Sequence, residues 1–365
     1  MQSRLLARRN GTTLVAPKAE RTHMIDLTNI TAVDRDTLWA VANDVTWASS
    51  SEKEAGSIEG RVLQYNTGLL LHSTDGGQTW KKRLVVPGSF LSCIRFTPEN
   101  AGYVTGDRGL VLGSKDGGRN WVKQTTPTTG TLWDIQFVGP HLGWILGSDG
   151  KIIHTEDGGA HWTLQTVTAR EEVLFLSFGD KANGWALGGK GNAYQSIDGG
   201  KTWRARGPDL FALPANWGAT TVQPRGVTFL NAKTGFVAAN FLAKDGTFSF
   251  GVILKTTDGG KNWVSELMPL GIRIAIAEFI SQNETWIVPE GGDSRDLLHT
   301  RDAGSSWSSV PLPRRGDARR LCIIDSQNGW FINHTDTFSS DEIFQTQDAG
   351  KSWVSLKVSD RILPE

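Results

Sequence analysis

One octapeptide, repeated seven times, limits what this chain can fold into. Residues 196–203 read Ser-Ile-Asp-Gly-Gly-Lys-Thr-Trp, and the same phrase returns at 73–80, 114–121, 155–162, 256–263, 300–307 and 346–353. Its aspartates are Asp75, Asp116, Asp157, Asp198, Asp258, Asp302 and Asp348, separated by 41, 41, 41, 60, 44 and 46 residues. The fifth position is always glycine, which permits the positive φ of a tight turn. The aspartate is placed to accept hydrogen bonds from backbone N–H groups inside that turn. The closing tryptophan begins the next strand and offers a large apolar face. A unit of about 40 residues with four short strands fits one propeller blade. The expected fold is all-β, a seven-bladed β-propeller of four-stranded antiparallel blades.

The octapeptide resembles the Asp-box repeat of bacterial neuraminidases. That resemblance implies a fold device rather than an active site, so the seven aspartates are read as structural. A metal ion in each box is disfavoured, because one carboxylate among glycines supplies too few oxygens for calcium. Residues 131–163 display the blade grammar most plainly: strand A at 131–137, strand B at 143–147, an Asp-Gly turn, strand C at 151–155, the box, then strand D. An aromatic recurs at one place in strand B: Trp39, Tyr103, Trp144, Trp185, Phe236, Trp286 and Trp330. Seven residues before five of these stand Phe96, Phe137, Phe178, Phe229 and Phe279, with Ile323 in repeat seven. All are expected in the core between blades. His72, His154 and His299 fall in strand C and are read as packing residues.

Residues 143–162 and 184–203, with their Gly-Trp-x-x-Gly run leading into a box, resemble the photosystem II stability/assembly factor family. The resemblance implies a seven-bladed propeller without catalysis that binds intermediates in membrane-protein assembly, and a basic patch for protein docking.

Composition narrows the partners. The 38 basic residues balance the 38 acidic ones, so no global field draws nucleic acid or anionic lipid. No stretch approaches the roughly 20 apolar residues of a membrane helix. Met1–Asn10 lacks the apolar core of a signal peptide, so the chain as written is expected in the cytoplasm. Residues 1–22 read as a tail and 23–365 as one domain, a monomer. Cys93 and Cys322, in repeats two and seven, read as buried thiols rather than a disulfide. No cofactor is expected.

Function is sought where repeats depart from their own pattern. The strand-B aromatic and the box aspartate are 13 residues apart in repeats two to four, but 36, 22, 16 and 18 apart in repeats one, five, six and seven. The extra residues fall in B–C connections, at 43–67, 240–250, 289–296 and 333–341; two D–A connections, 204–224 and 311–319, are also long. In an up-and-down blade these connections share one face, and the A–B turns and boxes share the other. The expectation is a raised half-rim on the face opposite the boxes. Within it lie Arg314, Arg315, Arg319 and Arg320, whose guanidinium forks suit carboxylates and which form the expected docking site for a protein partner. Glu52, Glu54, Glu59, Glu290, Asp293 and Asp296 bring opposing charge, and Phe211, Trp217, Phe248 and Phe250 candidate apolar anchors.

The catalytic rival is a sialidase-like or other Asp-box glycosidase, or a propeller that binds carbohydrate without hydrolysis. A sialidase needs a tyrosine nucleophile, and Tyr65 is the one tyrosine outside the repeat strands. A two-carboxylate mechanism would draw on acids such as Asp134, Glu171 and Glu278. Metal-ligand clusters, phosphate-cradling glycine loops and the Gly-x-Ser-x-Gly elbow are all absent from the sequence.

Overall fold

The computed structural model describes residues 24–49, 61–167, 172–206, 219–243, 249–268, 272–290, 296–312, 317–334, 341–358 and 362–363. They form seven antiparallel sheets, each a meander of four consecutive strands A to D from the axis outward. The innermost strands are Met24–Ala32, Leu91–Phe96, Leu132–Val138, Val173–Phe178, Ala219–Phe229, Ile274–Phe279 and Asp317–Ile323. Blade one departs from four strands: Ile362–Leu363 adds a fifth, pairing parallel with Trp80 and Lys81 on its outer edge. The tail at 1–22 lies outside the described residues.

The core is divided among seven apolar clusters, one at each blade interface. The strand-B aromatics sit in these interfaces, all seven buried. His72, His154 and His299 stack on Trp39, Trp144 and Trp286, with ring centroids 4.1, 5.0 and 3.8 Å apart.

Each box closes on itself as its residue types require. In the first, Ser73 Oγ donates to Asp75 Oδ1 (2.7 Å) and Gly77 N donates to Ser73 Oγ (2.8 Å). Thr79 N then donates to Asp75 Oδ1 at 2.8 Å. The box also joins neighbours. Tyr103 Oη donates to Gly158 O (2.8 Å), Trp144 Nε1 to Gly199 O (3.0 Å) and Trp330 Nε1 to Gly76 O (3.1 Å). In each case a strand-B aromatic reaches the next blade's box, and the last of these contacts joins blade seven to blade one. The fifth-position glycine therefore has two reasons to be glycine. At Gly260 φ is +85°, and a Cβ would stand 2.2 Å from the indole of Trp185 in the preceding blade.

The two faces separate as expected. Gly76, Gly158, Gly199 and Gly259, each in a box, donate their N–H to the A–B turn of the same blade, at Asp36, His141, Ala182 and Lys233. The B–C connections leave from the opposite face. Two of them are less loop than the spacing suggests: blade one continues as strands Leu38–Ser49 and Arg61–Ser73, and blade five as Gly235–Ala243 and Ser249–Thr256. A hairpin that prolongs its strands satisfies its backbone groups internally, which a long irregular loop does not.

Every innermost strand carries a register shift near the end where it enters from the insertion-bearing face. At that level one residue in each is left over against strand B, as in a β-bulge: Thr28, Ser92, Trp133, Leu174, Arg225, Ala275 and Arg319; the longer strand of blade five leaves over a second, Thr220.

Candidate functional site

Charged side chains of the innermost strands meet at the axis. Asp134 Oδ1, from blade three, accepts from its neighbour Ile135 N (3.0 Å) and from the Cys93 thiol of blade two (3.2 Å). Arg95 of blade two and Arg320 of blade seven approach the same oxygen at 3.8 and 3.9 Å. The Arg320 contact spans the central channel from blade seven to blade three. The Asp134 side chain faces the channel and keeps 52% of its accessible surface. Burial works to raise its pKa, but Arg95 and Arg320, together with the hydrogen bonds from Cys93 and Ile135, hold it below the usual carboxylate range. Glu278, from blade six, lies in the field of the same arginines, and there burial wins and its pKa is raised. Burial likewise pushes the Cys93 thiol up to about 12 and the Cys322 thiol up to about 11. Both cysteines are free thiols, but only Cys93 is buried; Cys322, expected to be buried as well, is half-buried.

Two further clusters sit between blades toward the insertion-bearing face. Between blades five and six, Glu290 accepts from Arg225, from Arg273 (2.9 Å) and from Asn240 Nδ2 (3.0 Å), all on one carboxylate oxygen. Gln223 Oε1 accepts from Arg273 at 3.2 Å. Two guanidinium groups thus share one carboxylate, leaving a surplus positive charge, and each arginine side chain keeps 20% of its surface open. At the joint of blades seven and one, Arg319 pairs with Asp26, His334 Nδ1 meets Asp341 Oδ1 at 2.6 Å, and Leu27 N donates to Asp341 Oδ2 at 2.7 Å. Burial raises the pKa of Asp26; Arg319 opposes it and Asp341 reinforces it.

The sequence candidates divide accordingly. Arg319 and Arg320 belong to the innermost strand of blade seven rather than to the loop before it; one serves the blade joint and the other the channel. Arg314 and Arg315 lie outside the described residues, as do Glu171, Glu52, Glu54, Glu59, Asp293, Phe211, Trp217, Phe248 and the side chain of Tyr65. Phe250 stacks on Phe241 with centroids 5.9 Å apart. Asp296 receives a hydrogen bond from Ser309. Asp134 and Glu278 do come into one charge network. Arg95, Arg225 and Arg273 escaped the sequence reading, since their acidic partners lie far away in sequence and only strand pairing and the packing of blade against blade gather them.

Comparison with known proteins follows from this geometry. The family model for photosynthesis system II assembly factor YCF48 matches residues 118–176 and 220–362, more than half of the chain. The chain belongs to that family. A BNR/Asp-box repeat model also matches residues 71–82. Among solved structures, a YCF48 bound to a D1 peptide is 16% identical, with a TM-score of 0.58 over 93% of this chain and 94% of its own. YCF48 from Cyanidioschyzon merolae is 19% identical, with a TM-score of 0.56 over 74% of this chain and 87% of its own. A GH74 xyloglucanase from Xanthomonas campestris reaches 13% identity and a TM-score of 0.51, over 90% of this chain and 60% of the enzyme. At these identities the structural likeness speaks for the fold. No curated protein matches the sequence. Among the described residues of this YCF48-family chain, no helix is long and apolar enough to cross a membrane.

Proposed function

We propose that this chain is a non-enzymatic scaffold of the assembly-factor kind, which docks a protein partner on the face opposite the Asp boxes. The observation that carries this reading is family membership together with the arginines gathered on the insertion-bearing side. The D1 peptide held by a structural relative supports a polypeptide as the partner, and a photosystem II assembly intermediate is the candidate. The rigid blades hold the rim, and arginine forks on it meet carboxylates of the partner. We assign Arg314 and Arg315 to contact, and Arg319 at the blade joint and Arg320 in the channel to positioning.

The test is capture of partners from the native host with the full chain, then with Arg314→Glu and Arg315→Glu together. A specific partner that is lost in the double variant supports the rim; an unchanged set of partners sinks it. A glycoside hydrolase is the second reading, because Asp134 and Glu278 have pKa values pushed apart in the manner of a base and an acid. Turnover of fluorogenic glycosides that Asp134→Asn abolishes would replace the scaffold by an enzyme.

A further inference from the structure

Chain connections from strand D to the next strand A cross six of the seven blade joints. The joint of blades seven and one is crossed instead by the C-terminal strand Ile362–Leu363, and it is clamped differently from two others. Between blades one and two, Asn43 Oδ1 accepts from Leu91 N (2.8 Å) while its Nδ2 donates to Leu91 O (3.1 Å). Asn240 holds Ile274 of blade six in the same way, at 2.7 and 2.8 Å. Each asparagine stands four residues after the strand-B aromatic of its blade, and each partner is the buried residue just before the bulge of the next blade. In blade seven that strand-B position is His334, and the matching residue of blade one is Leu27. Leu27 N donates to Asp341 Oδ2 (2.7 Å), and His334 Nδ1 meets Asp341 Oδ1 (2.6 Å). A carboxylate backed by an imidazole thus replaces a carboxamide, so this clamp can titrate where the other two cannot.

The charges at the joint do not balance. Asp341 keeps 1% of its side-chain surface and Asp26 12%, and Arg319 serves both, paired with Asp26 and 3.9 Å from Asp341. On strands A and B of blade one and A to C of blade seven, the other charged side chains described are Asp44, Glu342 and Arg320. The first two are carboxylates, and Arg320 turns to the channel toward Asp134. With His334 neutral, two buried carboxylates therefore share one guanidinium, and a buried charge without a partner is costly. We infer that the joint of blades seven and one is a latch that mild acid tightens: one proton taken up by the group Asp26, Asp341 and His334 balances the charge and strengthens the hold of blade seven on Leu27. The proton belongs to the group rather than to one residue. The direction agrees with Asp26, whose pKa is raised by burial and by Asp341 against the pull of Arg319. The folded chain keeps that proton at a pH where the unfolded chain has released it, so stability is gained as pH falls toward the ordinary carboxylate value, about 4. The inference is independent of the scaffold reading.

The experiment is hydrogen exchange on the full chain between pH 8 and pH 5, read at single residues by mass spectrometry with electron-transfer fragmentation. The Leu91 and Ile274 amides, whose acceptors are carboxamides, serve as internal references, and the ratio to them cancels the dependence of intrinsic exchange on pH. Protection of Leu27 relative to both should rise as pH falls, by up to about tenfold per pH unit where one proton is taken up. Asp341→Asn, which gives this joint the carboxamide of the others, should make the ratio independent of pH. Asp26→Asn leaves one carboxylate for Arg319, so Leu27 should already be as protected at pH 8 as it is at pH 5 in the unaltered chain. A ratio that stays flat or falls with acid in the unaltered chain overturns the latch, as does an Asp26→Asn chain that keeps the original slope; should Asp341→Asn fail to fold, these two measurements decide.

Discussion

The two glycines of a box can be told apart by substitution. In box five, Gly259 and Gly260 both have positive φ, +78° and +85°. Alanine at either position meets the left-handed penalty, about 1–2 kcal/mol. At Gly259 the added methyl would meet a turn carbonyl, that of Ala232, at 2.9 Å. Repeats six and seven already carry alanine there, with Ala303 and Ala349 at φ +60° and +63°, so the position can relax. At Gly260 the methyl would stand 2.2 Å from Cζ2 of Trp185 and 2.8 Å from its Cε2. That indole is 1% exposed and packed edge-on against Trp263 at 5.5 Å, so it has nowhere to go. Overpacking of this kind adds about 1–3 kcal/mol. Gly260→Ala should therefore cost about 2–5 kcal/mol, and Gly259→Ala about 1–2 kcal/mol. Urea unfolding followed by far-ultraviolet circular dichroism gives both midpoints, and pairing variants within one turn cancels effects on the unfolded chain. Equal midpoint shifts would refute the argument that the neighbouring indole, rather than φ alone, requires glycine at the fifth position.

Trp330→Phe loses the indole bond to Gly76 O, whereas Trp286→Phe loses a buried Nε1 that has no partner; thermal unfolding should show the first costing about 1 kcal/mol more. His72, His154 and His299 have pKa values lowered by burial, so their neutral forms stabilise the fold above about pH 6.5 and that stability is lost as pH falls through their folded values. The box aspartates are lowered as well, Asp116, Asp258 and Asp302 to about 2 by their turn hydrogen bonds; a second loss, followed by chemical denaturation across pH, should fall between about pH 4 and the folded values. A double-mutant cycle on Arg320→Met and Asp134→Asn should return a coupling below about 1 kcal/mol that shrinks with salt, because the pair is loose and open to the channel. Cys93 and Cys322, pushed up to about 12 and about 11, should resist a thiol-reactive disulfide reagent at pH 8 until the chain is unfolded, and rapid labelling of the folded protein would contradict their placement.

The box and strand-B positions were legible because they are local: a turn needs its glycines and aspartate, and a repeated aromatic needs an interface. The assignment of Asn43–Thr67 and Asn240–Phe250 to one face followed from strand alternation alone. What escaped was set by the packing of neighbouring blades and by contacts across the axis. Nothing near Asp134 in the sequence announces Arg320, and nothing in Arg225 announces Glu290. The bulges did leave a trace. Leu27 and Ile30, Leu91 and Ile94, and Leu132 and Ile135 are three apart, where an unbroken strand would repeat every two. The odd interval marks the extra residue, but only paired strands reveal that all seven lie at one height.

Arg320 and Asp134 approach each other at 3.9 Å across the axis, from blades that are not neighbours. Because that tie is long and open to water, it does little to brace the middle of the disc. The joints between adjacent blades, and the box bonds that cross them, are what keep the wheel shut.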